Sequence, residues 1–564
     1  MKKKKLSLCV LTLVLSLIAC VTVLEAPKVF AEEGSALGFS DSMEATEYAD
    51  TYNTTWVSHH NCYAFALGRI KLSYNETSNQ DSFCEIGGYC GNVIDHDTAT
   101  TSTRLARIQQ DLDALDCTDV TVGTTLPTDL ADGFKLICYR EGATSTGDFD
   151  YHFMRYDAEN DKWLHKPGEA GRVMTYNYTP SNDRVWTYSY AYGNQTATVT
   201  YNGTLYYISY KETIGFNETL GANIATSYTT LNEIRNRYTE DWCLGCDISL
   251  YNDEFWVPIE NFSGTFYGNG YAIYDMRYRG VAMTKMGLFG VLAGGRITGL
   301  HLRSAEFLLT GGPDPTDPVD IGAIAAINEG QIDNCIVGAS RTYSEVLFSS
   351  NRMANVGGIT GTNRGVIYDC TVQFFTVVSP GNAGGIAGFC PDDGTIASQI
   401  YNCTVKNSEM NIYAGTVGGI VGHDQGLRLS GCNVLSTNIS CYNGFPTTSS
   451  GYYKVSHYGY AGGIAGWHDN NTTGVRLHDC SITNVALSSG NESVDSSHGG
   501  RSFAPEIGFI CGRAKASVIQ SCTYDSASTV TGNNLHTETW GFWPWNYSWN
   551  QAQYVGSRLI GHAL

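Results

Sequence analysis

The chain has 564 residues, enough for two to four domains, and only 16% of them are charged. Acidic residues outnumber basic ones, 55 to 35, for a formal charge of −20, so the composition offers no basic surface of the kind that binds nucleic acid. With 62 glycines and 36 tyrosines, it reads as a β-rich chain.

Met1-Lys2-Lys3-Lys4-Lys5 precedes an apolar run from Leu6 to Leu24, and Val29-Phe30-Ala31 precedes Glu32. A basic start, an apolar run and small residues before a cut predict a signal peptide over 1–31 and a secreted or extracellular protein, possible surface association included. Leu17-Ile18-Ala19-Cys20 also fits a lipid-attachment motif, so membrane association is expected only if Cys20 is lipidated. Residues 32–50 are acidic and small and read as a flexible lead-in.

The next stretch, Ser58-His59-His60-Asn61-Cys62-Tyr63-Ala64-Phe65-Ala66-Leu67-Gly68, places one cysteine after a helix-capping asparagine and before strong helix formers. Cys62 is therefore expected in the first turn of a buried helix, where the helix terminus favours the thiolate. Asn61 is assigned an oxyanion or positioning role. Leu105, Ile108, Leu112 and Leu115 predict one apolar face of a helix over 104–115, and 134–139 reads as a strand. Asp148 to Tyr156 alternates as a strand does, and Lys162-Trp163-Leu164-His165-Lys166-Pro167-Gly168 follows a polar turn. A four-residue loop over 157–160 sets His152 opposite His165 on one face. Cys62 as nucleophile, His152 as base and His165 as its orienter is the logic of a catalytic triad. Trp163 is a weak binding candidate. Tyr- and Thr-rich strands over 173–210 complete the unit.

Sixteen cysteines remain after Cys9 and Cys20 are set aside, in a compartment that permits disulfides. Cys84 with Cys90, and Cys117 with Cys138, are placed to bridge. Cys243-Leu244-Gly245-Cys246 lacks a second pair at zinc-site spacing, so neither metal nor cofactor is expected.

From about residue 224 a repeat takes over. MGLFG begins at Met286, and related GG-apolar segments begin at Gly322, Gly357, Gly384, Gly418, Gly462 and Gly508, spaced 36, 35, 27, 34, 44 and 46 residues apart. Each is followed by an apolar-x-x-Cys element ending at Cys335, Cys370, Cys403, Cys432, Cys480 or Cys522, with Leu300 in the first copy. A third apolar strand usually follows. Three strands per period predict a parallel β-helix over 216–530, with loops of variable length on one side, as over 436–460 and 488–505. The cysteines are expected to stack as small core residues, and Asp333, Asp369 and Asp479 to act in turns. Residues 531–564 crowd Trp540, Phe542, Trp543, Trp545, Tyr547 and Trp549 together. They read as an aromatic cap over the last coil, with Trp540, Trp543, Trp545 and Trp549 as weak candidates for sugar stacking.

NCYAFALG, DYHFMRY and WLHKPG together resemble bacterial secreted cysteine peptidase or amidase-like domains. That resemblance implies an α+β papain-like fold over 51–215 with a Cys62, His152 and His165 set. Trp56 stands where papain-type enzymes place an oxyanion-hole glutamine. The repeat resembles the GLUG repeat of secreted adhesin-like proteins and of some immunoglobulin-A peptidases, which implies an all-β right-handed solenoid; no HExxH motif occurs in the chain. Two functions follow as expectations. One is a thiol-dependent peptidase or amidase acting on peptide or peptidoglycan amides. The other is a non-catalytic adhesin whose β-helix binds a host or cell-surface glycan or protein.

Overall fold

The computed structural model describes residues 39–42, 61–68, 73–75, 80–82, 84–158, 160–166, 173–192, 195–250, 255–280, 283–309, 319–338, 346–350, 354–392, 398–443, 459–468, 476–491, 506–513, 519–531, 539–542, 545–548 and 562–563. The signal segment over 1–31, Cys20, Trp56, Trp543 and Trp549 lie outside them. The chain divides into two compact units, one up to Gly215 with 226–230 and 246–248, the other made of the remaining residues.

Among its described residues the first unit is a nine-stranded sheet with two helices, beside a separate antiparallel pair, Ser73–Asn75 with Gln80–Ser82. The strands of the sheet are β1 (Phe39–Ser42), β2 (Cys117–Gly123), β3 (Phe134–Thr144), β4 (Phe149–Asp157), β5 (Lys162–His165), β6 (Met174–Tyr176), β7 (Arg184–Tyr192), β8 (Gln195–Tyr201) and β9 (Tyr206–Glu212). They run β1-β7-β8-β3-β4-β5-β6, and β9 joins β3 to β2. All pairings are antiparallel except β1 beside β7. The expected flexible lead-in thus contains a strand, since Phe39–Ser42 pairs with Arg184–Thr187 at a sheet edge.

Strand alternation gives the sheet two faces. Leu136, Cys138, Met154, Trp163, Trp186 and Tyr201 pack on one into a buried cluster. On the other, helix α1 (Cys62–Leu67) lays Tyr63 against Phe153, ring centroids 4.8 Å apart, and Phe65 under the Arg155 guanidinium. Helix α2 (Thr101–Ala114) starts three residues before the expected position, because the Thr100 side chain accepts from Thr103 N. Its buried stripe is Arg104, Ile108, Asp111 and Leu112, with Leu105 only half-buried.

The second unit is built of long parallel sheets, coil upon coil, in the arrangement of a β-solenoid. Ile297, Ile332, Ile367, Ile400, Leu429, Leu477 and Ile519 stand in one inward column, register to register. Leu302, Val337, Val372, Val405, Val434 and Ile482 make a second. Between the two, the chain turns at a residue of positive φ: Asn334, Asp369, Asn402, Gly431, Asp479 and Ser521, from 52° to 66°. Short polar residues and glycine tolerate that left-handed conformation best. Asp369 and Asp479 are turn residues, as expected. Asp333 instead takes both nitrogen arms of Arg296, at 2.8 and 2.9 Å. The Cys that follows each turn is buried, and its Sγ–H points at the carbonyl two residues back, 3.2 Å for Cys335 and 3.4 Å for Cys403.

The paired glycines have a steric reason. A Cβ on Gly384 would stand 2.1 Å from Ala387 O and 2.6 Å from Ile420 O, where two strands of one coil meet the next coil. The isoleucines behind them, from Ile324 to Ile510, are fully buried. The solenoid interior is not wholly apolar. Asn328 donates to Asn363 at 2.7 Å, and Asp424 accepts from Gly426 N, Leu427 N and the His468 imidazole. In the tail, Thr539–Phe542 and Trp545–Ser548 form an antiparallel pair containing Trp540 and Trp545, and His562–Ala563 adds a strand beside Thr523–Tyr524.

Candidate active site

Helix α1 is short and fully buried. Asn61 caps it, its Oδ1 accepting from Ala64 N at 2.8 Å, and Gly68 closes it at φ 62°. The other end of the Asn61 amide donates to Cys84 O at 2.8 Å. With both ends of its amide held by backbone, Asn61 positions the helix; its side chain is not turned to an oxyanion.

The cap sets Cys62 against strand β4. Its Sγ lies 3.8 Å from Tyr151 O and also meets the Phe153 backbone, so the thiol flanks the position of His152 on both sides. His152 Nε2 stands 3.2 Å from His165 Nδ1, with the rings edge to face at 5.2 Å. The sulfur's contacts are thus with the backbone on either side of His152, and the His152 ring itself is held by His165. Both imidazoles are buried, with Trp186 and Tyr201 packed against His152.

The imidazoles meet by a register other than the expected one. Met154, not His152, is directly opposite His165, and the hairpin closes at Asp157 and Lys162 around 158–161. Asp161, at φ 51°, is a turn residue. The slip is by two residues, which preserves the face, so His152 and His165 become diagonal neighbours.

The electrostatics also depart from expectation. Burial, and after it the Asp150 carboxylate, push the Cys62 thiol well above its ordinary range; Glu85 adds to this, while the Phe153 backbone and Lys166 oppose it. A helix of six residues, with its first turn fully buried, does not offset that desolvation. Burial, then His165 and Lys166, lower the basicity of His152. The resting pair is therefore a neutral thiol beside a neutral imidazole.

Four surrounding carboxylates and cations escaped the sequence reading. Asp111, fully buried, accepts from Tyr63 Oη at 2.7 Å, Gly87 N at 2.6 Å and Cys90 N at 2.8 Å, tying the 84–92 loop to helix α1. Glu85 takes the Tyr151 hydroxyl, and Asp150 accepts from Tyr201 Oη at 3.1 Å. Lys166 is fully buried next to His165. Nothing in the sequence pattern marked Asp111; its only signal is its place on the inward stripe of α2.

The other candidates separate. Trp163 belongs to the buried cluster and packs against Tyr156, the rings tilted at 45° with centroids 5.4 Å apart, so it presents no binding surface. Cys84, Cys90, Cys117 and Cys138 are thiols, as are all sixteen described cysteines, so neither expected bridge forms. Cys90 Sγ instead meets Gly87 O at 3.3 Å. Among the described residues no group of three His, Cys, Asp or Glu is placed to hold a metal, and no helix is long and apolar enough to cross a membrane.

No protein-family model matches the sequence, and no curated protein matches it. A solved structure named "IgA1 Protease" aligns with 72% of this chain at 14% identity and a TM-score of 0.33. The aligned part is 29% of that protein's chain, so this chain spans less than a third of its length.

Proposed function

We propose that the first unit is a papain-like thiol hydrolase that cleaves amide bonds of peptides or peptidoglycan outside the cell, and that the solenoid, of the GLUG type, is its binding module. The observation that carries this reading is the Cys62 thiol on the backbone at His152, with His152 Nε2 at 3.2 Å from His165 Nδ1. Because thiol and imidazole both rest neutral, the reaction runs by general base catalysis. His152 Nδ1 takes the thiol proton as sulfur attacks the carbonyl carbon. The tetrahedral adduct collapses with rupture of the C–N bond, and His152 returns the proton to the leaving amine. Water, deprotonated by the same imidazole, then hydrolyses the thioester and regenerates the thiol. His165 fixes the ring that performs both transfers.

The test is incubation of the secreted chain with a peptide library and with purified peptidoglycan, and mass analysis of the products. Cleavage by the wild type that is lost in Cys62→Ser and His152→Ala is the expected result. Absence of cleavage, with retained binding of glycan or protein by the full chain, favours the adhesin-like alternative. The neutral, buried thiol is the observation that keeps that alternative in view.

A further inference from the structure

Two carboxylates flank the candidate nucleophile. Glu85 follows Cys84, whose carbonyl is bound by Asn61, and its own Oε2 holds the Tyr151 hydroxyl. Asn61 precedes Cys62, and Tyr151 supplies the carbonyl that faces its sulfur, so Glu85 is fixed to the thiol's surroundings from two sides. Asp150 is the residue before Tyr151, with Oδ1 on Tyr151 N at 2.7 Å and Oδ2 on the Tyr201 phenol.

Neither carboxylate meets a lysine or arginine among the described residues. Arg104, the nearby guanidinium, is taken by Glu141 at 3.0 Å. The partners of Glu85 and Asp150 are neutral phenols and a backbone amide, with His96 Nε2 at 3.4 Å from Glu85 outside hydrogen-bond geometry. The Glu85 side chain keeps 44% of its surface in solvent, so a ligand can reach it. Cationic Lys166 lies beyond His165, at the end of β5, so the charge around the thiol is uneven and acidic on the side of Glu85 and Asp150.

We propose that Glu85 and Asp150 determine specificity by accepting a cationic group of the substrate, a primary amine or guanidinium close to the amide that Cys62 attacks. This rests on the hydrolase reading and narrows its substrate class. The cation has a second effect. Both carboxylates oppose ionisation of Cys62, so a bound ammonium that offsets them eases the transfer of the thiol proton to His152. A substrate lacking the cation meets a less reactive sulfur.

The test uses the full secreted chain and three methanethiosulfonates: aminoethyl (cationic), methyl (neutral) and sulfonatoethyl (anionic). Modification of Cys62 is followed by mass analysis of its peptide, and each rate is divided by that reagent's rate with a small free thiol. The expected order is cationic over neutral over anionic, with about tenfold or more between the extremes. The order should collapse in Glu85→Gln with Asp150→Asn, and also in wild type at about 1 M salt, which requires no variant to fold. Equal normalised rates in the wild type at low salt overturn the cation site and leave the hydrolase reading standing. No reaction of Cys62 with any reagent removes both.

Discussion

Raising the pH should unfold the solenoid under conditions that most proteins survive. Burial holds the thiols of Cys335, Cys370, Cys390, Cys403, Cys432, Cys441 and Cys511 above their ordinary value, the last two at about 12; Cys335, Cys370, Cys403 and Cys432 stack in one sulfur column, whose next member, Cys480, is shifted the other way, against its burial, by the sulfurs of Cys432 and Cys522 and is left out of the sum. In the unfolded chain the same thiols ionise near pH ~8.5. Above that pH the unfolded state binds fewer protons than the folded state, so stability falls as pH rises; below it, these thiols contribute no pH dependence. Each contributes a slope of about 1.4 kcal/mol per pH unit, and all seven together roughly 10. That is comparable to the whole stability of a typical domain, about 5–15 kcal/mol. The assay is the urea midpoint from far-UV circular dichroism between pH 7 and 9.5, under nitrogen with a reductant. The midpoint should be level to about pH 8 and then fall steeply. In a Cys370→Ala, Cys403→Ala, Cys432→Ala variant the slope should drop to about four-sevenths of the wild-type value, whatever the variant's absolute stability. A level midpoint across the whole range, or an unchanged slope in the triple variant, would refute the reasoning.

Three further outcomes follow from individual positions. Asp369→Val puts a β-branched residue at φ 52° and should cost about 1–2 kcal/mol by urea unfolding, whereas Asp369→Gly should be near neutral; equal effects would dissociate the turn from its backbone angle. Asp424→Ala strands the buried His468 imidazole together with the amides of Gly426 and Leu427, and should cost about 3–5 kcal/mol in the same measurement; a loss below about 1 kcal/mol contradicts the buried pair. Asn61→Ala removes the α1 cap and should lower the stability of the first unit by about 1 kcal/mol, with slower alkylation of Cys62; an unchanged thermal midpoint argues against the cap.

Much of the solenoid was legible because its period is written in residue types. The GG-apolar and apolar-x-x-Cys elements gave the strands, the inward columns and the burial of the thiols. The residue before each cysteine looked like a spacer in that pattern, although Asn, Asp, Gly and Ser there share one property, tolerance of positive φ. In the first unit, Cys62, His152 and His165 could be chosen because a capped apolar helix and an alternating hairpin leave clear local signals. The register slip around Asp161 could not, since a shift by two residues leaves the same alternation of inward and outward side chains. The thiol's acidity was misjudged for a different reason: the helix terminus is visible in sequence, whereas desolvation by β4 and the charge of Asp150 are products of tertiary packing. Asp111, Glu85 and Asp150 look like ordinary surface carboxylates until α1, α2 and β4 come together. Trp163, a weak binding candidate by sequence, turns inward because its face of the hairpin is the one that meets the core.

The connection from the third strand of a coil to its GG strand has no fixed length. Phe375–Gly384 and Glu409–Gly418 make the passage as single strands, whereas elsewhere the chain leaves at Leu309, Asn443 and Asn491 and re-enters at Val319, Tyr460 and Glu506. Parallel register is restored each time, as Thr416 beside Tyr460 and Tyr460 beside Glu506 show. Insertion at that corner is thus uncoupled from the core, and a lineage of such chains can diversify there by gain and loss of sequence while the stacked columns stay under selection.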